Sequence, residues 1–178
     1  MDKIRLKYVD DPHKINDIQI HENIRFEDSR GYLDIQLELQ DITLPPADIS
    51  LKSSFSEKGI ARGLHWQNLN SPQTKIIKVI KGEILLCLVN MDDMREGFLF
   101  RYSEHHHFSI EISSELAHGF YTLSPTSFQY ICLGKYSESD EITLNLFPEI
   151  CKELDIKKLE ISKKDIAFPS HPVKIIQE

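Results

Sequence analysis

The sequence predicts an all-β fold, a sandwich or a barrel, from three observations. Apolar and polar residues alternate with a period of two through the middle of the chain, which is typical of strands with one buried face. The segments that show this pattern are short and follow one another closely, as in antiparallel all-β proteins. Helix is confined to a possible turn over 148–154 and a short segment after Ser162.

The clearest strands follow one another from residue 75 to residue 147. The segments KIIKVI and EILLCLV, separated only by Lys81 and Gly82, predict a hairpin with a tight turn. Three later segments alternate, HHFSIEIS, FQYICLGKY and EITLNLF, and their apolar faces carry Phe108, Ile110 and Ile112, then Phe128, Tyr130, Cys132 and Tyr136, then Ile142, Leu144 and Leu146.

Length and charge limit the class of protein. With 178 residues and no repeat, low-complexity tract or linker, residues 1–178 are predicted to form a single domain. The net charge of -7 argues against nucleic-acid binding, which requires a basic face. The longest purely apolar run, Ile84 to Val89, is too short to span a bilayer, and the start of the chain lacks the apolar core of a signal peptide. We therefore expect a cytoplasmic protein with no nucleic-acid or membrane partner.

Neither the cysteines nor the histidine tract predicts a metal site. The three cysteines contain no C-x-x-C pair, so disulfides and thiolate metal sites are both disfavoured. The histidines at 105 to 107 are predicted to run along a strand and alternate faces, so three ligands on one metal are disfavoured. We interpret them as a solvated edge.

The segment GIARGLHWQ, from Gly59 to Gln67, resembles the first motif of the cupin barrels. Cupin metal sites use an H-x-H pair, an acidic residue shortly after it and a later histidine. Here the second position of the pair is Gln67, and Asn68 or Asn70 stands where the acid is expected. His65 and His118 remain, and two neutral ligands are too few for a dedicated metal centre. The resemblance therefore implies a cupin-type barrel without a metal.

Four motifs in order, KGIARGLHWQ, QTKIIKVIKGEI, AHGFYTLSP and a following tyrosine, resemble the sugar-nucleotide 3,5-epimerases, the dTDP-4-dehydrorhamnose 3,5-epimerase-like family. The resemblance runs from about Ile24 to Pro169 and includes FEDSRGY and ISKKD. It implies a β-jelly-roll barrel (a cupin-type double-stranded β-helix) with an N-terminal arm and a short C-terminal helical segment. It also implies a homodimer in which each arm completes the partner's pocket.

The family chemistry inverts C3, C5 or both of a nucleotide-diphosphate-linked 4-keto-6-deoxy sugar through an enolate and needs no cofactor. The resemblance assigns catalytic roles to His65 as the base, Asp165 as the carboxylate that orients it, Lys75 near the enolate oxygen and Tyr130 as the proton donor. We also expect substrate contacts from Arg62, which matches the arginine that grips the diphosphate, and from His118, Arg30, Gln67 and Lys52. The implied product is a deoxysugar for surface polysaccharide.

Several of these residues also have a structural interpretation. Tyr130 shares a face with Phe128 and Cys132, so it could be a packed aromatic. Asp165 lies three residues after Ser162, the spacing of a capping box at a helix start. Lys75 could be a solvated strand end, and Arg30 could be only a turn residue.

The nucleotide side departs from the family pattern. Ile35 stands where a glutamate is expected, and Ser50 and Lys52 stand where a glutamine and an asparagine are expected. A dTDP-linked hexose is the default substrate, but a GDP- or CDP-linked hexose or a heptose is open. Two other functions remain as alternatives, a metal-dependent cupin oxygenase and a non-catalytic sugar-binding cupin.

Overall fold

The computed structural model describes residues 3–38, 48–68 and 70–177. Within them the chain is built mainly of strands: β1 Ile4–Val9, β2 Ile18–Glu22, β3 Ile24–Asp28, β4 Gly31–Ile35, β5 Ile49–Ser56, β6 Ile60–Gln67, β7 Thr74–Lys81, β8 Glu83–Asn90, β9 Glu96–Ser103, β10 Phe108–Ile112, β11 Leu116–Thr122, β12 Thr126–Leu133, β13 Glu141–Thr143, β14 Glu160–Ile161 and β15 Val173–Gln177. The α-helices are α1 Phe147–Glu153 and α2 Lys163–Ile166, and short 3-10 turns span Pro12–Lys14 and Glu138–Asp140.

The strands form two large sheets and one small one. The larger sheet has the order β13-β6-β11-β8-β9-β1-β15, with β14 added beside β6. The second sheet has the order β2-β10-β7-β12-β5, and β3 with β4 forms a separate two-stranded sheet. The two large sheets pack face to face as a jelly-roll-like sandwich, which confirms the predicted all-β fold.

Strand β8 has an unbroken apolar sequence because both of its faces are buried. Leu86 and Leu88 pack with Ile77 of the second sheet in one core cluster. Leu85 and Cys87 point to the other face and pack against α1 in a second cluster. Because both faces of the strand are buried, neither face can be polar.

The predicted hairpin between KIIKVI and EILLCLV is wrong. Strand β7 pairs with β10 and β12, whereas β8 pairs with β9 and β11 in the other sheet. The chain turns a corner at Gly82, which has a φ of 92°. A Cβ atom there would lie 2.4 Å from the carbonyl oxygen of Pro125. A short connection with glycine fits a corner between sheets as well as a hairpin, so the sequence signal could not separate them.

The other strand predictions are confirmed in part. Phe108, Ile110 and Ile112 are buried on one face of β10. Leu144 and Leu146 are buried, but Ile142 is 41% exposed, and β13 ends at Thr143, so the predicted alternation does not continue along one strand. Both short helical predictions are confirmed as α1 and α2.

The histidine tract does not run along a strand as predicted. It lies in the connection between β9 and β10. His106 Nδ1 accepts a hydrogen bond from the backbone N–H of Ser103 at 3.1 Å, and its ring packs edge-on against Phe100. His105 and His107 are exposed. The tract therefore closes a tight turn.

Strands β3 and β4 form the predicted N-terminal arm. Arg25 bonds to Asp34 across the hairpin and lies 3.8 Å over the ring of Tyr32. The side chains of Phe26 and Leu33 are 57% and 63% exposed. The arm thus presents apolar surface outside both cores. In the described part of the chain, no helix is long and apolar enough to cross a membrane.

Candidate active site

A cavity of about 280 Å³ opens between the two large sheets. Six of the nine predicted site residues line it: Arg62 and His65 from β6, Lys75 from β7, His118 from β11, Tyr130 from β12 and Asp165 from α2. Side chains that are far apart in sequence meet here because β6, β11, β7 and β12 are central strands of the two facing sheets.

His65 and Asp165 form a hydrogen-bonded pair. Nε2 of His65 lies 2.7 Å from Oδ1 of Asp165, whose side chain is only 3% exposed. Burial alone would raise the pKa of Asp165, but the hydrogen bond and charge of His65, together with bonds from Gly63 and Ser162, hold this pKa below its usual value. The carboxylate is therefore ionised and can accept the Nε2 proton, so Nδ1 is the nitrogen that carries the lone pair whenever the His65 ring is neutral.

Asp165 fulfils both functions that its sequence position allows. Its backbone N–H donates to Oγ of Ser162 at 3.0 Å, which caps the first turn of α2. Its side chain turns away to His65, and Oδ2 accepts the N–H of Gly63 at 3.3 Å. The cap and the contact with His65 are thus made by different atoms of one residue.

Gly63 is required for this arrangement. Its φ is 89°, a left-handed conformation that glycine adopts without steric cost. A Cβ atom at this position would lie 2.8 Å from the carbonyl oxygen of His118. The glycine of RGLH therefore allows β6 to approach β11 closely while its N–H faces Asp165.

Lys75 and His118 form the polar floor of the cavity. Burial lowers the pKa of Lys75, and the charge of Lys52 acts in the same direction. Burial, followed by the positive charge of Lys75, holds the pKa of His118 well below its usual value. His118 is consequently neutral, and its Nδ1 contacts the backbone carbonyl of Leu116 at 3.1 Å. The neutral His118 therefore adds no second positive charge beside Lys75.

Tyr130 lies on the opposite sheet from His65. Its ring stacks on Phe128 with centroids 5.6 Å apart, and Phe128 in turn packs edge-on against Phe120. Tyr130 also lines the cavity. The ring of Tyr130 is therefore packed against Phe128 while the residue also lines the cavity.

Arg62 also lines the cavity. Its Nε donates to Oγ of Ser56 at 3.1 Å, which fixes the direction of the guanidinium. Ser162 and Lys164, from the start of α2, line the same region. A cationic region of this kind suits an anionic ligand.

Comparison with known proteins identifies the family of this chain. The sequence profile described as dTDP-4-dehydrorhamnose 3,5-epimerase matches residues 12–171. The chain belongs to this family. A relative named dTDP-4-dehydrorhamnose 3,5-epimerase from Methanothermobacter thermautotrophicus is 33% identical over 119 residues, which cover 62% of this chain and 64% of the relative. The match therefore spans a little less than two thirds of that relative's length.

Two solved structures of proteins with the same name extend the comparison. The structure from Sulfolobus tokodaii has a TM-score of 0.74 and 30% identity and covers 87% of this chain and 90% of its own. The structure from Bacillus anthracis, with TDP and PPi bound, has a TM-score of 0.71 and 27% identity and covers 86% of this chain and 94% of its own. Both agree with the sandwich described above.

Three predicted site residues do not line the cavity. Arg30 lies at the tip of the arm, where it pairs with Asp28. Gln67 is buried, and its carboxamide bonds to both the carbonyl and the N–H of Ser137. Lys52 is exposed, with Nζ 5.9 Å from the centre of the Tyr130 ring. Gln67 thus holds a loop and lines a small neighbouring cavity with His65, Lys52 lies beside the main cavity and Arg30 lies away from it. The substrate contacts expected of these three residues stay predictions.

The sequence interpretation missed a second carboxylate near the base. Glu141, on β13, accepts hydrogen bonds from Lys164 and from the hydroxyl of Tyr136. The motif ISKKD places two lysines directly before Asp165, but nothing in it shows that Lys164 reaches Glu141, 23 positions away. Among the described residues, no group of three or more His, Cys, Asp or Glu side chains is arranged to hold a metal ion.

Proposed function

We propose that this protein inverts C3, C5 or both of a nucleotide-diphosphate-linked 4-keto-6-deoxy sugar by removing and returning a proton through an enolate. The observation that carries the proposal is the His65–Asp165 pair at 2.7 Å, in one cavity with Lys75 and Tyr130. These are the groups that the reaction needs, namely a base, a cation for the enolate and an acid.

The proposed mechanism begins at Nδ1 of His65. This nitrogen takes the proton from the carbon next to the ketone, and the C–H electron pair moves to form the enolate, with negative charge on the C4 oxygen. The imidazolium that forms is stabilised by the ionised Asp165, and the enolate oxygen by Lys75. Tyr130 then gives its hydroxyl proton to the same carbon from the opposite face. Exchange with solvent returns the imidazolium and the phenolate to their starting states.

The positively charged side chains in and beside the cavity suggest how the nucleotide part of the substrate binds. Arg62 binds the diphosphate because its guanidinium can make two parallel bonds to phosphate oxygens. The related Bacillus anthracis structure was solved with TDP and PPi, which supports a dTDP-linked sugar as the first choice. The exposed Lys52 gives a second cation near Tyr130 for the same ligand. GDP- and CDP-linked sugars are the alternative substrates that the assay should also test.

We further propose that the protein is a cytoplasmic homodimer in deoxysugar synthesis for a surface polysaccharide. The support for the dimer is uncovered apolar surface on the arm, at Phe26, Tyr32 and Leu33, and on the edge strand β5 at Leu51 and Phe55. If the arms are exchanged, Arg30 at the tip of each arm reaches the partner's pocket.

The decisive experiment offers dTDP-, GDP- and CDP-linked 4-keto-6-deoxy sugars to the protein in deuterated water. NMR then follows deuterium at C3 and C5. We expect incorporation with inversion for the dTDP-linked sugar. Tight binding without exchange would instead support the sugar-binding alternative, and activity that depends on added iron or manganese would support the oxygenase.

A further inference from the structure

The arm formed by β3 and β4 joins the second sheet beside the connection between β9 and β10. Directly before β3, the backbone N–H of Asn23 donates to the carbonyl of His107 at 2.8 Å. Directly after β4, the carbonyl of Gln36 accepts a hydrogen bond from Oγ of Ser109 at 3.4 Å. Both ends of the arm are therefore attached to this connection and to the start of β10.

A buried lysine holds the same connection. Lys78 of β7 is only 8% exposed, and its Nζ donates to the carbonyls of His106 at 2.6 Å and of Phe108 at 2.9 Å. These two carbonyls flank the one that accepts the N–H of Asn23. Because a buried ammonium must keep hydrogen-bond partners, Lys78 fixes the backbone on both sides of His107.

The charges that act on Lys78 come largely from the arm and its approach. Burial lowers the pKa of Lys78 to about 8, and the negative charge of Asp34 on β4 opposes this shift. The hydrogen bond from Arg25 holds the pKa of Asp34 below its usual value, and the charges of His107 and Lys78 act in the same direction. Arg25 of β3 and Glu22 of β2 also act on Lys78, with opposite signs. Near neutral pH, Lys78 and Asp34 therefore attract each other where the arm returns to the sheet.

At the start of the arm, the main chain of Asn23 makes the attachment. The nitrogen and oxygen of its carboxamide are buried and have no hydrogen-bond partner among the described residues. A buried amide without partners disfavours the conformation that contains it. The arm therefore depends on the backbone bond to His107 and on the side chain that fixes this carbonyl.

We propose that Lys78 is the positioning residue of the N-terminal arm. It holds the connection to which both ends of the arm bond, and its charge attracts Asp34 as the arm returns. Lys78 thereby sets the direction in which the arm leaves its own subunit, and hence where Arg30 at the tip is presented. The effect on catalysis rests on the proposed function, since it assumes that the arm completes a partner's substrate pocket.

Amide hydrogen exchange of the full chain near neutral pH measures how firmly the arm is held, without any substrate. Lys78→Met keeps a side chain of similar length but removes two hydrogen bonds and the charge, so amides of residues 23–35 should exchange at least about tenfold faster. Lys78→Arg keeps the charge and the donors and should restore most of the protection. Lys81→Met changes an exposed lysine of the same strand and should exchange as wild type. Amides of β8 report on the core and should stay protected in every variant.

Asp34→Asn tests the same contact from the side of the arm. It should also speed exchange of the arm, and its effect should be smaller in the Lys78→Met background, because the two charges act on each other. If Lys78→Met does not fold, Lys78→Gln, which keeps donors without the charge, takes its place in this comparison. Unchanged exchange of the arm, equal acceleration of the arm and β8, or additive effects of the two substitutions would each overturn the proposal.

Steady-state kinetics with the dTDP-linked sugar connect the arm to the substrate. Lys78→Met should raise KM several-fold with little change in kcat, because the arm is expected to bind substrate and not to transfer the proton. Lys78→Arg should restore KM. A lower kcat at unchanged KM would contradict the proposed effect on the partner's pocket. An inactive wild type would refute the proposed function, whereas amide exchange would still decide whether Lys78 holds the arm.

Discussion

Oδ1 of Asp165 lies 2.7 Å from Nε2 of His65, although the two residues are 100 positions apart. The contact joins a four-residue helix to a central strand, and the N–H of Gly63 shares the same carboxylate. This relationship fixes which nitrogen of His65 faces the cavity, and it leads to predictions that can be measured one at a time.

His65→Ala and His65→Asn should abolish deuterium incorporation at both C3 and C5. The expected loss is at least about a thousandfold, because Nδ1 of His65 is the proposed proton acceptor on its face of the cavity. Deuterium exchange measured by NMR gives the rate, and circular dichroism confirms the fold. Exchange near the wild-type rate in a folded variant would contradict the role of His65.

Asp165→Asn and Ser162→Ala should separate catalysis from capping. Asp165→Asn retains the backbone N–H that bonds to Ser162, so we expect a loss of exchange rate of about a hundredfold with a small loss of stability. Ser162→Ala removes the cap and should lower the free energy of unfolding by about 1 kcal/mol with most activity retained. Deuterium exchange should therefore be slower in Asp165→Asn than in Ser162→Ala, whereas thermal melts should show that Ser162→Ala is the less stable variant.

Tyr130→Phe should separate proton removal from inversion. His65 can still form the enolate and return a solvent-derived proton to the face it came from. We therefore expect deuterium at C3 or C5 with little change of configuration, and a preserved fold because the ring still stacks on Phe128. Inversion at the wild-type rate would mean that the Tyr130 hydroxyl only packs, and loss of exchange as well would indicate that it positions the substrate.

Asp165 should contribute stability that depends on pH. Because its pKa is lower in the folded protein than in the unfolded chain, its contribution is fully present above about pH 4. It should be lost as the pH falls through the folded-state value, where the carboxyl becomes protonated in both states. Urea unfolding of wild type and Asp165→Asn should therefore differ at pH 6 and converge at the acid end. A constant difference across this range would contradict the ionised pair.

The arm should determine the oligomeric state. Leu33→Glu places a charge on the exposed apolar face of β4, so we expect light scattering to report a dimer for wild type and a monomer for the variant. Lys135→Glu, a charge change outside the arm, serves as the control and should remain a dimer. A fully active wild-type monomer in dilute solution would refute the exchanged arm.

Most of the strands and the residues at the centre of the site could be predicted from the sequence. Period-two alternation reports burial on one face, so β10 was predicted correctly, but it does not report which sheet receives the next strand, so the corner at Gly82 was taken for a hairpin. The family resemblance identified six residues that line the cavity, five of which are placed there by strands of the two facing sheets. It could not show that Gln67 bonds to Ser137, since that loop lies 70 positions away. The Glu141–Lys164 pair was missed for the same reason, because no local pattern signals a contact between distant elements.

The position of Asp165 near the C-terminal end of the described chain has a consequence for biosynthesis. During translation, the strand that carries His65 leaves the ribosome 100 residues before its carboxylate partner. A nascent chain can therefore pair β6 with β11 while its imidazole has no fixed tautomer. The His65–Asp165 pair forms only when α2 docks. If His65 is the proposed base, the onset of deuterium exchange in a stalled series of nascent chains would time the docking of that segment.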